Sequence, residues 1–266
     1  VSNKAAYLGD HPHFRFHPVD LTGSEAFYQD RRYMNVVEHL LHIPLASMDR
    51  ILDVGCGPGV IWRDYKKNLS SHLPPDLQII GVDLSFSSLQ EFTIVGKSVQ
   101  TDGEWLPFLA GTFRLVMCID VIEHFHSPEA LLREIRRVVQ KSGYLLVSTP
   151  NAHGVYEHKA VFNLGRKPTC WAVEDLLKGR WIRGIPSPSF PQHVKLYSFP
   201  ELQRTVEAFG FRLVCGHMAG FALPAFGLIE RFTGLYAWGW ARRVLVALES
   251  KLPWVCWNMV ALFEAV

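Results

Sequence analysis

Residues 51–59 read ILDVGCGPG, a short apolar run carrying one carboxylate, Asp53, followed by three glycines separated by single residues. Such a run, closed by glycine and proline, predicts a buried strand that leaves through Asp53 into a tight turn. Gly55, Gly57 and Gly59 strip that turn of side chains, so a ligand can approach its backbone without meeting a Cβ. The third glycine arrives one residue too early for GxGxxG, Pro58 sits inside the turn, and no Lys-Ser/Thr pair follows. A pyrophosphate is therefore the weaker guess for the ligand.

Outward from this stretch, apolar runs recur at 78–82, 98–101, 115–119 and 144–148, alternating with helical or loop segments. That rhythm predicts α/β architecture, with a parallel sheet covered on both faces. The second run ends in Asp83 (IIGVDLS) and the third leads into Asp102 (QTDGEWLPF). Asp83 suits the two hydroxyls of a ribose, and Asp102 suits an exocyclic adenine amine. Three acids at successive strand ends line the carboxyl edge of the sheet, where open α/β folds bind ligands. The expected ligand contains adenosine.

Helical spacing of Phe27, Tyr33, Val36, Val37, Leu40 and Leu41 predicts a helix over 24–41. The stretch SPEALLREIRRVVQKSG predicts another, capped by Ser127, with Pro128 in its first turn, one apolar stripe through Leu131, Leu132, Ile135, Val138 and Val139, and Gly143 as its end. The polar and aromatic segment 151–195 reads as a substrate lid or binding loop. A helix over 200–209, a strand over 211–215, a hydrophobic helical insertion over 221–256 and a last strand over 257–263 complete the chain.

The 266 residues are 48% hydrophobic, enough for a full core, and the net charge of +2 gives no footprint for nucleic acid. Five scattered cysteines without CxxC spacing argue against a disulfide framework or a zinc site, and no metal is expected. Neither a signal peptide nor an eighteen-residue apolar span is visible, and a cytoplasmic protein is expected.

ILDVGCGPG, IIGVDLS, DGEWLPF, MCIDVIEHFHSPEALLREIRRVVQKSGYLLVSTPN and HVKLYSFPELQRTVEAFGF together resemble class I S-adenosylmethionine-dependent methyltransferases over residues 48–215. The style resembles the branch acting on quinones, lipids and other small molecules. The resemblance implies a Rossmann-like seven-stranded sheet of order 3-2-1-4-5-7-6, the strand at 257–263 running antiparallel, with helices on both faces. It implies one methyltransferase domain over 1–266: an N-terminal arm and helix (1–47), a cofactor-binding core (48–150), the lid (151–195) and the insertion (221–256). The implied cofactor is S-adenosyl-L-methionine, leaving as S-adenosyl-L-homocysteine. Asp53, Gly55, Cys56 and Gly57 would meet its methionine end, Asp83 and Leu84 the ribose, Asp102, Gly103 and Glu104 the adenine, and Ile119 and Asp120 the sulfonium side. Two positions depart from the family pattern: Arg114 stands where an aspartate is usual, and Lys141–Gly143 replaces a proline-glycine-glycine turn.

Methyl transfer from a sulfonium is an in-line displacement, so alignment and exclusion of water are the main demands. For a hydroxyl acceptor a general base helps, and His124 is the first candidate, with His126, His153, His158 and His193 behind it. For a carbon acceptor, Glu123 and Tyr156 would matter. Cys56 reads as a packing residue. The expected acceptor is a small apolar quinone, phenol, prenyl or lipid-like molecule, methylated on oxygen or carbon. On a helical wheel Glu230, Arg231, Arg242, Arg243, Glu249 and Ser250 gather on one side of the insertion. That segment is expected to pack on the core, with a membrane-peripheral or homodimer surface as the sharper reading. The rival functions are a non-catalytic binding or membrane-docking protein of the same fold, and a nucleotide-cofactor oxidoreductase.

Overall fold

The computed structural model describes residues 23–70, 72–153, 193–221, 239–253 and 256–266. Seven strands, β1 (Arg50–Val54), β2 (Gln78–Asp83), β3 (Lys97–Gln100), β4 (Phe113–Ile119), β5 (Val139–Pro150), β6 (Phe211–Phe221) and β7 (Cys256–Ala265), form one sheet of order β3-β2-β1-β4-β5-β7-β6. The first five pair in parallel, and β7 runs antiparallel between β5 and β6. The implied topology is the one observed.

Side chains alternate across this sheet with period two, and each face has its own core. Leu52, Val116, Leu145 and Phe263 meet Leu131, Leu132 and Ile135 of helix α5 (Glu129–Val138) and Leu202 and Val206 of helix α6 (Phe199–Glu207). Their neighbours Ile51, Leu115, Leu146 and Leu262 point the other way. There they meet Val36, Val37 and Leu40 of helix α1 (Gly23–Leu41), Trp62 of helix α2 (Val60–Asp64), and Leu89 and Phe92 of helix α4 (Phe86–Phe92). Helix α3 (Lys66–Leu69) is a single turn following α2, and helix α7 (Gly239–Lys251) packs near β6.

Three local expectations are corrected. Helix α5 ends at Val138, not Gly143, because Val139 pairs with Phe113 and already belongs to β5, which carries a register shift before Tyr144. Pro128, not Ser127, stands at its N-cap, and the Ser127 hydroxyl bonds instead to the Glu129 carboxylate. The third strand closes at Gln100, leaving Asp102 in the following loop. The two departures from the family pattern touch each other. Arg114 donates to the Ser142 carbonyl (2.6 Å), and its guanidinium lies 5.0 Å over the Tyr144 ring, while Ser142 itself adopts φ +56°. The N-terminal arm, the lid residues 154–192 with Tyr156 and His158, and residues 222–238 lie outside the described residues.

The wheel reading also fails for Glu249, which is 1% exposed. Its carboxylate accepts from Arg31 of α1 (2.8 Å) and from the Gly220 amide of β6 (2.9 Å). A buried carboxylate is tolerated here because a guanidinium and a backbone amide replace its lost water. Glu249→Ala leaves Arg31 charged and largely buried without this partner, and is expected to lower unfolding free energy by about 3 kcal/mol. Urea denaturation of the variant against the parent measures it.

Candidate active site

The turn after β1 is made from left-handed residues, with φ +67°, +51° and +76° at Gly55, Gly57 and Gly59. A Cβ on Gly55 would stand 2.3 Å from a methyl of Val121, so this glycine lets the turn press against the exit of β4. A Cβ on Gly57 would meet nothing within 4 Å. Space is thus kept open over Gly57 and closed over Gly55.

The amides of the turn are already engaged. Gly55 and Cys56 donate to the Val82 carbonyl (2.8 and 3.1 Å), Gly57 to Asp83 Oδ2 (2.9 Å) and Gly59 to the Cys56 carbonyl (3.0 Å), while Pro58 has no N–H. A phosphate cradle needs free amides pointing at the ligand. This turn has spent its own, and it holds a carboxylate where a phosphate would lie. That geometry disfavours a nucleotide-diphosphate cofactor on physical grounds.

Asp83 accepts a second amide, from Ser85 (2.8 Å), which fixes its plane. A carboxylate offers about four lone-pair sites, so capacity remains for a ribose hydroxyl beside the Ser85, Gly57 and Leu84 amides. Burial raises its pKa, against which the Ser85 and Gly57 amides act. Leu84 follows, its carbonyl accepting from Gln100 (2.8 Å). Across the strand ends, Thr101 donates to the Asp83 carbonyl (3.1 Å), bringing the 102–104 loop alongside. Asp102 accepts from the Glu104 amide (3.0 Å), and Gly103 lies where a Cβ would stand 2.9 Å from Leu131. Helix α5 anchors the rest of that loop: Glu134 accepts from the Leu106 amide (2.8 Å), and Arg137 donates to the Leu106 and Phe108 carbonyls (2.8 and 2.6 Å).

Asp53 is buried beneath the turn and accepts from the Trp62 indole (2.8 Å). Desolvation raises its pKa to about 7; the Trp62 bond works in the opposite sense and the Asp83 charge adds to the rise. Cys56 is buried with its thiol pKa pushed up, which fits packing and not nucleophilic chemistry.

At the exit of β4, Ile119 is half-buried and Asp120 adopts φ +54°, a conformation that aspartate tolerates better than most residues. Asp120 pairs with Arg32 of α1 (2.8 Å) and accepts from Ser148 of β5 (2.9 Å) and Asn258 of β7 (3.2 Å). The Arg32 guanidinium lies 4.3 Å over the Tyr33 ring and 5.4 Å over Trp257. No local pattern marks Arg32, Ser148 or Asn258, since each reaches the site only through the folded sheet and α1.

A 3-10 turn, Ile122–His124, follows. Glu123 is fully buried; Thr149 donates to its Oε2 (2.9 Å), and Oε1 has no hydrogen-bond partner. Burial raises its pKa, Asp120 raises it further, and His193 acts to lower it. His193 arrives because Val194 and Lys195 both donate to the Glu123 carbonyl (2.9 and 3.0 Å). Its ring lies 5.3 Å from that of His124. The sequence ranked His193 behind His124, and folding makes them neighbours. His126 and His153 are exposed.

The donor set fits S-adenosylmethionine: an acid for an ammonium, an acid for a diol, a loop acid for an amine, and a bare glycine between them. Fold and site together define a class I S-adenosylmethionine-dependent methyltransferase. The chain belongs to the family described as methyltransferase domain, whose profile matches residues 26–215. It is 36% identical over 118 residues to a malonyl-[acyl-carrier protein] O-methyltransferase of Legionella pneumophila, covering 42% of this chain and 39% of that protein. It is 26% identical over 113 residues to a ubiquinone biosynthesis O-methyltransferase of Escherichia coli, covering 40% and 44%. The matched region therefore spans less than half the length of either relative. Among solved structures, a geranyl diphosphate methyltransferase in complex with GPP and sinefungin aligns with a TM-score of 0.53 at 15% identity, covering 86% of this chain and 76% of that one. A Mesorhizobium loti S-adenosylmethionine-dependent methyltransferase aligns with 0.57 at 15% identity, covering 89% and 99%. No helix among the described residues is long and apolar enough to cross a membrane.

Asp53 carries a pH signature. Its folded pKa lies above the unfolded value, so its contribution to stability is full below about pH 4 and is lost as pH rises through about 7. Asp53→Asn keeps an acceptor for Trp62 and removes the titration. The variant is expected to be more stable than the parent at pH 8, with the gap shrinking by on the order of 2–4 kcal/mol at pH 4. Urea midpoints at the two pH values measure the difference.

Proposed function

We propose that this protein transfers a methyl group from S-adenosylmethionine to a small, apolar acceptor, on oxygen or carbon of a quinone, phenol, prenyl or lipid-like molecule. The observation that carries the reading is the amide-saturated glycine turn. Asp83 is locked against that turn, and the space over Gly57 is kept open. Such a seat suits an adenosyl group without a diphosphate, and family membership supplies the chemistry. The two relatives named above are O-methyltransferases, which supports an oxygen acceptor.

When bound, S-adenosylmethionine supplies a sulfonium methyl, which passes to the acceptor as the carbon–sulfur electron pair returns to sulfur. The chain's residues do the rest. Asp53 neutralises the ammonium of the methionine end, Gly55, Cys56 and Gly57 form the floor beneath it, and Asp83 with Leu84 orients the ribose. Asp102, Gly103 and Glu104 hold the adenine edge, and Ile119 with the Arg32-braced Asp120 flanks the sulfonium. His124, beside buried Glu123, accepts the proton of a hydroxyl acceptor. Tyr156 and the 151–195 segment, read from the sequence as a substrate lid, are assigned to the acceptor. The chain works in the cytoplasm, with 221–256 as the surface for any membrane or homodimer contact.

Two measurements test the reading. Asp83→Ala is expected to weaken S-adenosylhomocysteine binding by about 2 kcal/mol or more, measured by calorimetry, through loss of charge-assisted hydrogen bonds. Unchanged binding in the folded variant removes the ribose assignment. The glycines separate fold from seat: Gly57→Ala is expected to stay folded and bind cofactor at least tenfold more weakly, whereas Gly55→Ala drives a methyl into Val121 and lowers the thermal midpoint. A labelled-methyl assay over phenols, quinones and prenyl lipids then identifies the acceptor.

A further inference from the structure

The carboxylate of Glu123 and the imidazoles of His124 and His193 each offer a ligand atom, and these atoms all lie within 4.8 Å of one another. Three features distinguish the cluster from a chance meeting of surface groups. Glu123 is fully buried with one oxygen, Oε1, lacking any hydrogen-bond partner. A buried carboxylate oxygen left so is costly, and a cation is one of the few partners that offsets the cost. The second oxygen is held by Thr149, which fixes the carboxylate plane as an outer support for a ligand. The backbone is arranged to deliver the third donor: two successive amides, Val194 and Lys195, clasp the Glu123 carbonyl and set His193 opposite His124.

The electrostatics have the right sign. Asp120 stands close enough to Glu123 to act on its carboxyl, although Arg32 balances its charge. Arg32 is paired to Asp120, and the Lys195 ammonium lies 4.9 Å over the Tyr197 ring. Two nitrogens and one oxygen select the ion. Magnesium and calcium prefer all-oxygen sites, whereas two imidazoles and a carboxylate suit zinc and its first-row neighbours. Ligand atoms on such an ion stand about 3–3.5 Å apart, so rotation of the two half-buried rings by about an ångström or so completes the set. Three protein ligands leave at least one coordination position for water or an acceptor oxygen.

We propose that Glu123, His124 and His193 bind one divalent transition-metal ion at the acceptor side of the site. The sequence concealed this because two ligands are adjacent and the third follows a long connection, unlike a compact metal motif. The role of the ion, to bind and polarise an acceptor oxygen, rests on the methyl-transfer reading; its binding does not. With the ion bound His124 would serve as a ligand, the acceptor would lose its hydroxyl proton to solvent as its oxygen meets the ion, and the base role given to His124 above would hold for the metal-free chain alone.

The test uses the full chain stripped with a chelator and titrated with Co2+, then Zn2+. One equivalent of Co2+ is expected to bind with visible ligand-field absorption, to be displaced by Zn2+, and to raise the thermal midpoint of the parent. His193→Ala and His124→Ala, at half-buried positions, are each expected to keep the metal-free midpoint and weaken Zn2+ binding tenfold or more. Glu123→Gln should act in the same direction. Absence of a stoichiometric site, or Zn2+ binding that survives both histidine changes, overturns the proposal. Cofactor binding measured on the metal-free chain stands apart from this outcome. Its failure would sink the methyl-transfer reading instead.

Discussion

The hydrogen bond from the Gly57 amide to Asp83 ties the turn after β1 to the tip of β2, and the rest of the site is arranged around it. It fixes where the glycine turn lies, consumes an amide that a phosphate would need, and aims a carboxylate at the space over Gly57. The parallel register places Asp53 opposite Gly81 and Met117, so the first acid sits below the turn and the second beside it. Gly81 belongs to the same constraint, because a Cβ there would stand 2.6 Å from the Cys56 sulfur and from the Phe92 ring. A small residue in the second strand therefore allows the first strand's turn to close.

Electrostatics divide the site into two ends with different logic. At the turn, Asp53 is desolvated and answered by one indole, so its charge is poorly compensated. At the exit of β4, Asp120 is fully answered by Arg32, Ser148 and Asn258, drawn from α1, β5 and β7. The first end carries a poorly compensated acid, and the second a fully paired one. Between the two lies the pressed contact of Gly55 with Val121, which keeps their spacing short.

Much of this was legible in residues 51–120. Apolar runs and acids at strand ends are local signals, and they predict the sheet and the row of acids along its carboxyl edge. The end of α5 was misread because Val138 and Val139 continue an apolar stripe. Only pairing with Phe113 tells that Val139 belongs to a strand. Glu249 was misread because a wheel knows nothing of Arg31, far back in the chain. Asn258 had no local signal either, and His193 ranked only among the secondary bases, since their partners are brought to them by long connections. Local pattern reports strands and turns, whereas side-chain partners across the sheet follow from topology.

Arg31 and Arg32 are consecutive on α1, so their side chains leave the helix about 100° apart. One is anchored in Glu249 of α7, and the other in Asp120 at the mouth of β4. The pair works like two pegs in one axle: α1 can neither roll nor slide without pulling both. A push on α7 would thus be felt, through a single rigid rod, at the exit of β4.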